Sequence, residues 1–228
     1  MRKKLFILGG NGDIGKAIVY KFRNFDFDII SPTSKECDLR DFKIVDSYLT
    51  KNIDKIRGTS VFIHSAGVND PKNFCEYTIQ EIDEILKINT ISFIRVLQFF
   101  VPILKKHKTS YVLAISSLYS IFSRKGRMAY SVSKHALNAI IKTAALELGK
   151  YGIKVNALSP GFVDTKLTRK NNPVSVIEDI KRKIPLGFLA SPKDIANTAY
   201  YLCSEENTYI TGQNIVVDGG YSIGGFQK

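Results

Sequence analysis

Tyr130 and Lys134, the two ends of the run YSVSK, set a phenol and an ammonium four residues apart. On a helix that spacing puts both on one face, so both can project toward the same ligand. An ordinary tyrosine gives up its proton near pH 10. Lowering that by three units takes about 4 kcal/mol of differential stabilisation, part of which a close cation supplies. The pair would then move protons near neutrality. Taken alone, Y-x-x-x-K also fits a solvated helix face, but two further groups accompany it. ISS, at 115–117, closes an apolar run with hydroxyls suited to a substrate carbonyl. INT, at 88–90, sets Asn89 within a helical stretch over residues 78–107, where an inward-facing amide would hold a water.

Groups so far apart in the chain need a scaffold that gathers them. The glycine-rich GGNGDIG at 9–15 follows the apolar run LFIL at 5–8 and overlaps IGKAIVYKF at 14–22, whose apolar residues fall at helical spacing. Strand, turn and helix in that order suit a nucleotide: glycines let the backbone approach a pyrophosphate, and the helix offers its first amides to the anion. A plain strand-to-helix connection is the other reading of the glycines. Further strand candidates are DIIS (28–31), VFIH (61–64), YVLAIS (111–116), VNAL (155–158) and NIVV (214–217), with helical stretches between most of them. This alternation predicts an α/β fold over residues 1–228: a single domain with a Rossmann-type, doubly wound parallel sheet and helices on both faces.

One connection is short. From Ser31 to a further strand candidate at Cys37 there is no room for the crossover of about 10–12 residues or more that a parallel pair needs, so the second crossover helix is expected to be missing and replaced by coil. HSAG, at 64–67, ends the VFIH strand at the carboxyl edge, where open parallel sheets bind ligands. His64 reads as a packed residue, because no His, Cys or Glu stands near it at ligand spacing, and no metal is expected.

A chain of 228 residues with 44% hydrophobic content can build a substantial core. Cys37, Cys75 and Cys203 form neither a C-x-x-C pair nor a disulfide framework, so each reads as a small apolar filler in a reduced, cytoplasmic protein. The basic start MRKKLFILGG carries too short an apolar run for a signal peptide or a membrane span. The net charge of +12 comes from Lys and Arg spread along the chain without a zinc-finger or RNP signature, which argues against nucleic acid and for a field that attracts anionic small molecules.

With these features in this order, the chain resembles the short-chain dehydrogenase/reductase family over nearly all its length. The likeness rests on the glycine turn, Asp38 and Leu39 of CDLRD, Ala66 and Gly67 of HSAG, Asn89, Ser117, Tyr130 with Lys134, SPGFVDT at 159–165 and the closing ITGQNIVVDGGYS. The Ser117 to Tyr130 separation fits the family pattern and selects Ser117 over Ser116. The resemblance implies an oxidoreductase that moves hydride between a nicotinamide cofactor and a carbonyl or secondary alcohol, reduction with NADPH being the favoured direction. Tyr130 would be the general acid or base and Ser117 would position the carbonyl. Lys134 would bind the nicotinamide ribose and depress the Tyr130 pKa, while Asn89 holds a water that relays the proton. Cofactor contacts are expected from Gly9, Asn11, Gly12, Asp13, Ile14 and Gly15 in the turn, from Ser31, Thr33, Asp38, Leu39, Ala66 and Gly67, and from Tyr130, Lys134, Pro160, Gly161, Val163 and Thr165. The resemblance also implies a homotetramer or homodimer, the helix at 130–149 packing on its mate and the C-terminal segment forming another contact. Ala136, Leu137, Ile140 and Ile141 suit that contact or the protein's own core. A non-catalytic dinucleotide sensor is the alternative, and the complete Asn89, Ser117, Tyr130 and Lys134 set speaks against it.

The chain departs from the family at Asp13, where a glycine is usual; its carboxylate is expected to turn from the pyrophosphate and cap the following helix. The second strand runs into SPTSK without the acidic residue that holds the adenosine ribose in NAD users. Ser31, Thr33, Ser34 and Lys35 would accept a 2′-phosphate, which favours NADP(H), with NAD(H) as the second cofactor. The shortened region resembles that of some nucleotide-sugar reductases. By the resemblance, the segments bearing Arg124, Lys125 and Arg127, and Lys166, Arg169, Lys170, Lys181, Arg182 and Lys183, border the substrate pocket. An anionic substrate, a nucleotide-linked keto-sugar or a 3-oxoacyl thioester, would suit them, and a solvated basic surface is the other reading. TRKNNPVSVIEDIKRK, at 168–183, reads as polar turn and short helix, a lid over substrate.

Overall fold

The computed structural model describes residues 2–224. Residues 225–228, part of the C-terminal segment expected at a subunit contact, lie outside the described residues. The strands are β1 (Lys4–Leu8), β2 (Asp28–Ile30), β3 (Thr59–His64), β4 (Ser110–Ile115), β5 (Ile153–Pro160) and β6 (Asn214–Val217). They form one six-stranded, parallel sheet in the order β2-β1-β3-β4-β5-β6. The α-helices are α1 (Asp13–Arg23), α2 (Phe42–Lys51), α3 (Ile53–Ile56), α4 (Ile79–Leu86), α5 (Ser92–Leu104), α6 (Met128–Leu148), α7 (Lys166–Asn171), α8 (Val174–Lys183) and α9 (Pro192–Leu202).

The inner strands are apolar runs because helices cover both of their faces. Side chains alternate across the sheet, so Leu5 and Ile7 of β1 enter one core while Phe6 and Leu8 enter the other. Helices α1 and α9 close the first core through Ile18, Phe22, Ile195 and Ala199. Helices α2, α5 and α6 close the second through Leu49, Phe93, Phe100, Leu137 and Ile141, where the rings of Phe62 and Phe100 stack at 5.3 Å. This is the single-domain, Rossmann-type doubly wound sheet that the alternation predicts. Leu137 and Ile141 thus serve the protein's own core, with Ala136 and Ile140 only partly buried.

Residues 31–41 are coil and turn and no strand forms at Cys37, so the connection runs on to β3 with room for helices: the second crossover helix, expected to be missing, is present as α2 and α3. Pro32 follows the edge strand β2, and the Glu36 carboxylate accepts both the N–H and the hydroxyl of Thr33 at 2.8 Å, closing a turn. Asp41 then caps α2 by accepting the Lys43 N–H at 2.8 Å, and α2 and α3 lead to β3. The chain therefore leaves β1 outward to β2 and returns to β1's other side at β3. That reversal opens a crevice above the carboxyl ends of β1 and β3.

The helical stretch over 78–107 begins at a capping box, Thr78 with Glu81, and continues through α4 and α5 with one π-type turn, Lys87–Ile91, between them. Taken as one helix of 26 residues, Ile79–Leu104 is long and apolar enough to cross a membrane. Its Phe93, Val96, Phe100 and Leu104, however, are buried against the sheet. Cys37 and Cys203 fill the two cores, whereas Cys75 is exposed and fills nothing.

Candidate active site

A groove follows the crevice along the carboxyl edge of the sheet. Its outer part, about 450 Å³, is bordered by Gly9, Asn11 and Gly12, by Thr33, Asp38 and Leu39, and by Ala66 and Gly67. Its inner part, about 180 Å³, is bordered by Ile14, Ala66 and Gly67, by Ser117, Tyr130 and Lys134, and by Pro160, Gly161, Val163 and Thr165. The two parts share Ser65, Ala66 and Gly67. Gly9 has φ +77°, and a Cβ there would stand 2.4 Å from the Ala66 nitrogen; one on Gly15 would stand 2.1 Å from the Gly9 oxygen. No other residue type fits either position, so the turn's bare backbone lies close to the loop after β3. Gly12 is the N-cap of α1, whose first N–H groups have no partner inside the helix. These features fit the pyrophosphate of a dinucleotide.

Three expectations at this end are corrected. Asp13 does not cap α1: it is the first residue of the helix, and its Oδ2 accepts the backbone N–H of Lys166 at 2.7 Å, fastening the start of α7 to the glycine turn. Ser31 does not present a hydroxyl to the groove, since its Oγ is buried without a partner beside Gly10, where an added Cβ would meet it at 2.1 Å. The Thr33 hydroxyl is committed to Glu36. Ser34, Lys35 and Arg40 remain exposed at this rim, Arg40 being paired with Asp38 at 2.7 Å.

At the inner end, α6 carries Tyr130 and Lys134 toward the cleft, while the turn after β4 carries Ser117. Ser117 Oγ accepts the Tyr119 N–H at 3.2 Å, which leaves its own proton for another acceptor. Ser116 donates instead to Asn138 Oδ1 at 3.1 Å, so the serine chosen by spacing is the one with a free proton. Lys134, 3% exposed, donates from Nζ to the Ile115 carbonyl at 2.7 Å and lies 5.6 Å from the Tyr130 ring centroid. Burial pushes the Lys134 ammonium down to about 8. Burial also pushes the Tyr130 phenol up to about 12, opposed by the Ser117 hydroxyl, reinforced by Tyr119 and opposed again by Arg127. The expected depression of the phenol by Lys134 is therefore absent from the protein by itself: burial dominates, and the ammonium is directed to a carbonyl.

Asn89 is fully buried in the π-type turn. Its Oδ1 accepts the Val68 N–H at 2.8 Å, and its Nδ2 donates to the Val68 carbonyl and Ser133 Oγ, each at 3.0 Å. The side chain clamps the loop after β3 to α6. His64 is packed as expected, its Nε2 2.8 Å from Ser92 Oγ, and burial, then the Lys134 charge, lowers its pKa to about 3. Among the described residues no group of three or more His, Cys, Asp or Glu could hold a metal.

On the substrate side the segment after β5 is helical sooner than the sequence suggests, α7 occupying part of the expected polar turn. Most of its cations face solvent and are paired: Arg169 with Asp164, Lys181 with Glu178, Lys183 with Asp179. Arg124 and Lys125 are exposed and border a separate surface groove. Of the cations expected at the substrate pocket, Arg127 alone lies buried in the wall of the inner cleft. Asn69, Tyr119, Asn171 and Asn172 also border the cleft and carry no motif that would have marked them.

A dinucleotide groove ending in a Ser, Tyr and Lys cleft defines an NAD(P)-dependent oxidoreductase of alcohols and carbonyls. The chain belongs to the short-chain dehydrogenase/reductase family. A model of that family, described as enoyl-(acyl carrier protein) reductase, matches residues 23–222. The chain is 30% identical over 214 residues to the 2,5-dichloro-2,5-cyclohexadiene-1,4-diol dehydrogenase of Sphingobium indicum, covering 94% of this chain and 84% of the relative. It is 31% identical over 173 residues to the 3-oxoacyl-[acyl-carrier-protein] reductase of Thermotoga maritima, covering 76% and 70%. The fold superposes on 4-hydroxyisoleucine dehydrogenase complexed with NADH at a TM-score of 0.91 and 25% identity, covering 98% of this chain and 100% of that one.

Proposed function

We propose that the protein reduces a ketone to a secondary alcohol, with Tyr130 as proton donor, Ser117 as the hydrogen bond that positions the carbonyl and Lys134 as the cofactor-holding cation. The observation that carries this reading is the convergence of the three side chains on one cleft of about 180 Å³ that opens into the glycine-lined groove. The nicotinamide, when bound, supplies the hydride. Tyr130, with a pKa of about 12, is protonated at neutral pH and suited to give its proton to an oxygen that is gaining charge. The free Ser117 proton points the substrate oxygen toward the phenol. Lys134 Nζ, with one N–H on Ile115, keeps two donors for ribose hydroxyls beside Gly67, whose added Cβ would stand 3.6 Å from it.

NADP(H) remains the favoured cofactor in this reading and NAD(H) the second. Lys35 is exposed at the adenosine rim, and the two carboxylates of this loop are occupied, Glu36 by Thr33 and Asp38 by Arg40. An anionic ketone is favoured as substrate. The name of the Thermotoga maritima relative supports a 3-oxoacyl thioester over a nucleotide-linked keto-sugar. A homotetramer or homodimer in the cytoplasm completes the proposal. Exposed Val132 and Leu146 on α6 support a subunit contact, and the free cysteines support a reducing compartment.

The test is NADPH and NADH absorbance against a panel of neutral and anionic ketones, repeated with Tyr130→Phe. Turnover that falls by about 100-fold or more in the variant, with cofactor still bound, supports the reading. Cofactor binding with no turnover across the panel would replace it with the sensor.

A further inference from the structure

Arg127 stands at the N-cap of α6, three residues before Tyr130, and is 6% exposed. Its one side-chain hydrogen bond within the described protein runs from Nη1 to Asn69 Oδ1 at 3.1 Å. Among the described residues, no carboxylate forms an ion pair with it within 4.0 Å. A guanidinium carries five N–H donors in a rigid fork. Removing such an ion from water without a counter-ion is strongly unfavourable, so the arrangement implies an anion that arrives in another state of the protein. Arg127 borders the same cleft as Tyr130, Ser117 and Lys134. The contrast with Arg169, paired at 2.7 Å with Asp164 on the surface, is physical: where water is present the charge has a partner, and where water is excluded it has none.

Two further observations limit what the anion belongs to. Arg127 and Tyr130 both border this cleft, so a group held by the guanidinium and a carbonyl at Tyr130 belong to one small molecule. The cleft, about 180 Å³, also borders Ser117 and Lys134, which favours a compact substrate. Asn69, which orients the guanidinium, also accepts from Asn171 Nδ2 at 3.4 Å through its carbonyl, so the end of α7 closes over this wall.

We propose that Arg127 binds the anionic group of the substrate, and that the substrate is a short oxo acid, or the matching hydroxy acid, whose free carboxylate sits in the guanidinium fork. This selects a free acid over the thioester and the keto-sugar. It rests on the reading that Tyr130 and Ser117 act on a carbonyl.

The experiment compares kcat/KM for 3-oxobutanoate and 4-oxopentanoate with their methyl esters, and with acetoacetyl-CoA and dihydroxyacetone phosphate. The wild-type protein is expected to prefer acid over ester by about 100-fold, and Arg127→Gln to bring the ratio close to one, with Arg127→Lys between. The rise in unfolding midpoint that 4-oxopentanoate produces with NADPH present is expected to vanish in Arg127→Gln and to persist in Arg127→Lys. Equal use of acid and ester by the wild type overturns the proposal without any variant, as does preference for the thioester or the phosphate, or an equal fall for acid and ester in Arg127→Gln. Turnover of neutral ketones alone overturns it while leaving the oxidoreductase reading intact. No turnover with any ketone removes both.

Discussion

Replacing Lys134 by methionine is expected to make the folded protein more stable while abolishing turnover. The ammonium is 3% exposed, and burial lowers its pKa from 10.5 to about 8. At about 1.4 kcal/mol per unit this fall corresponds to about 3 kcal/mol against the charged native form at neutral pH. The hydrogen bond to the Ile115 carbonyl offsets part of that, a charged bond contributing about 1.5–3 kcal/mol. Methionine fills the same volume without a charge, so a net gain of about 1–2 kcal/mol is expected at pH 7. The pH dependence isolates the cause. Because the native pKa lies below the unfolded one, the unfolded chain holds a proton between about pH 8 and 10.5 that the native protein has released, and the wild type gains stability as pH rises through that window. The variant lacks this gain, so its advantage should shrink by about 2 kcal/mol by pH 9.5. Other ionisations, such as that of buried Cys37, occur in both proteins and cancel in the difference. Urea unfolding of both cofactor-free proteins at pH 7 and 9.5 measures it. A variant less stable at pH 7, or a difference that does not change with pH, would refute the reasoning.

Ser117→Ala should lower kcat/KM by about 100-fold, whereas Ser116→Ala, which loses only its bond to Asn138, should appear mainly as about 1 kcal/mol of lost stability in denaturant titration. His64 has a native pKa of about 3 against an unfolded value near 6.5. Stability should therefore fall as pH drops below about 6.5, and His64→Leu should lose about 3 kcal/mol less than the wild type on going to pH 4.5; parallel unfolding curves would exclude this. Asp13→Ala should release the α7 start, seen as exchange of the Lys166 amide hydrogen faster by about 10-fold, while exchange in α9 stays as it was.

The fold was readable because its signal is local. Apolar runs at 5–8, 61–64 and 111–116 alternate with helical spacing, and glycines at 9 and 15 stand where the turn permits nothing larger. Tyr130, Lys134 and Ser117 were readable for the same reason, their spacing on α6 and at the end of β4 being a property of the chain. The errors concern partners. The position of Asp13 suits a helix cap, yet its acceptor oxygen meets the amide of Lys166, 153 residues on. Nor does the sequence reveal that Val68 and Ser133 use the amide of Asn89.

The sequence by itself determined the order of strands and helices, the glycine turn and which of Ser117, Tyr130 and Lys134 stand at element ends and on one helix face, since these follow from residue type and period. Only the tertiary structure decided which charges are buried and which are paired. It left Tyr130 protonated, gave Lys134 to a backbone carbonyl and enclosed Arg127 without a counter-ion. The physical reason is that desolvation depends on atoms brought from remote parts of the chain, and no spacing rule encodes how much water they exclude.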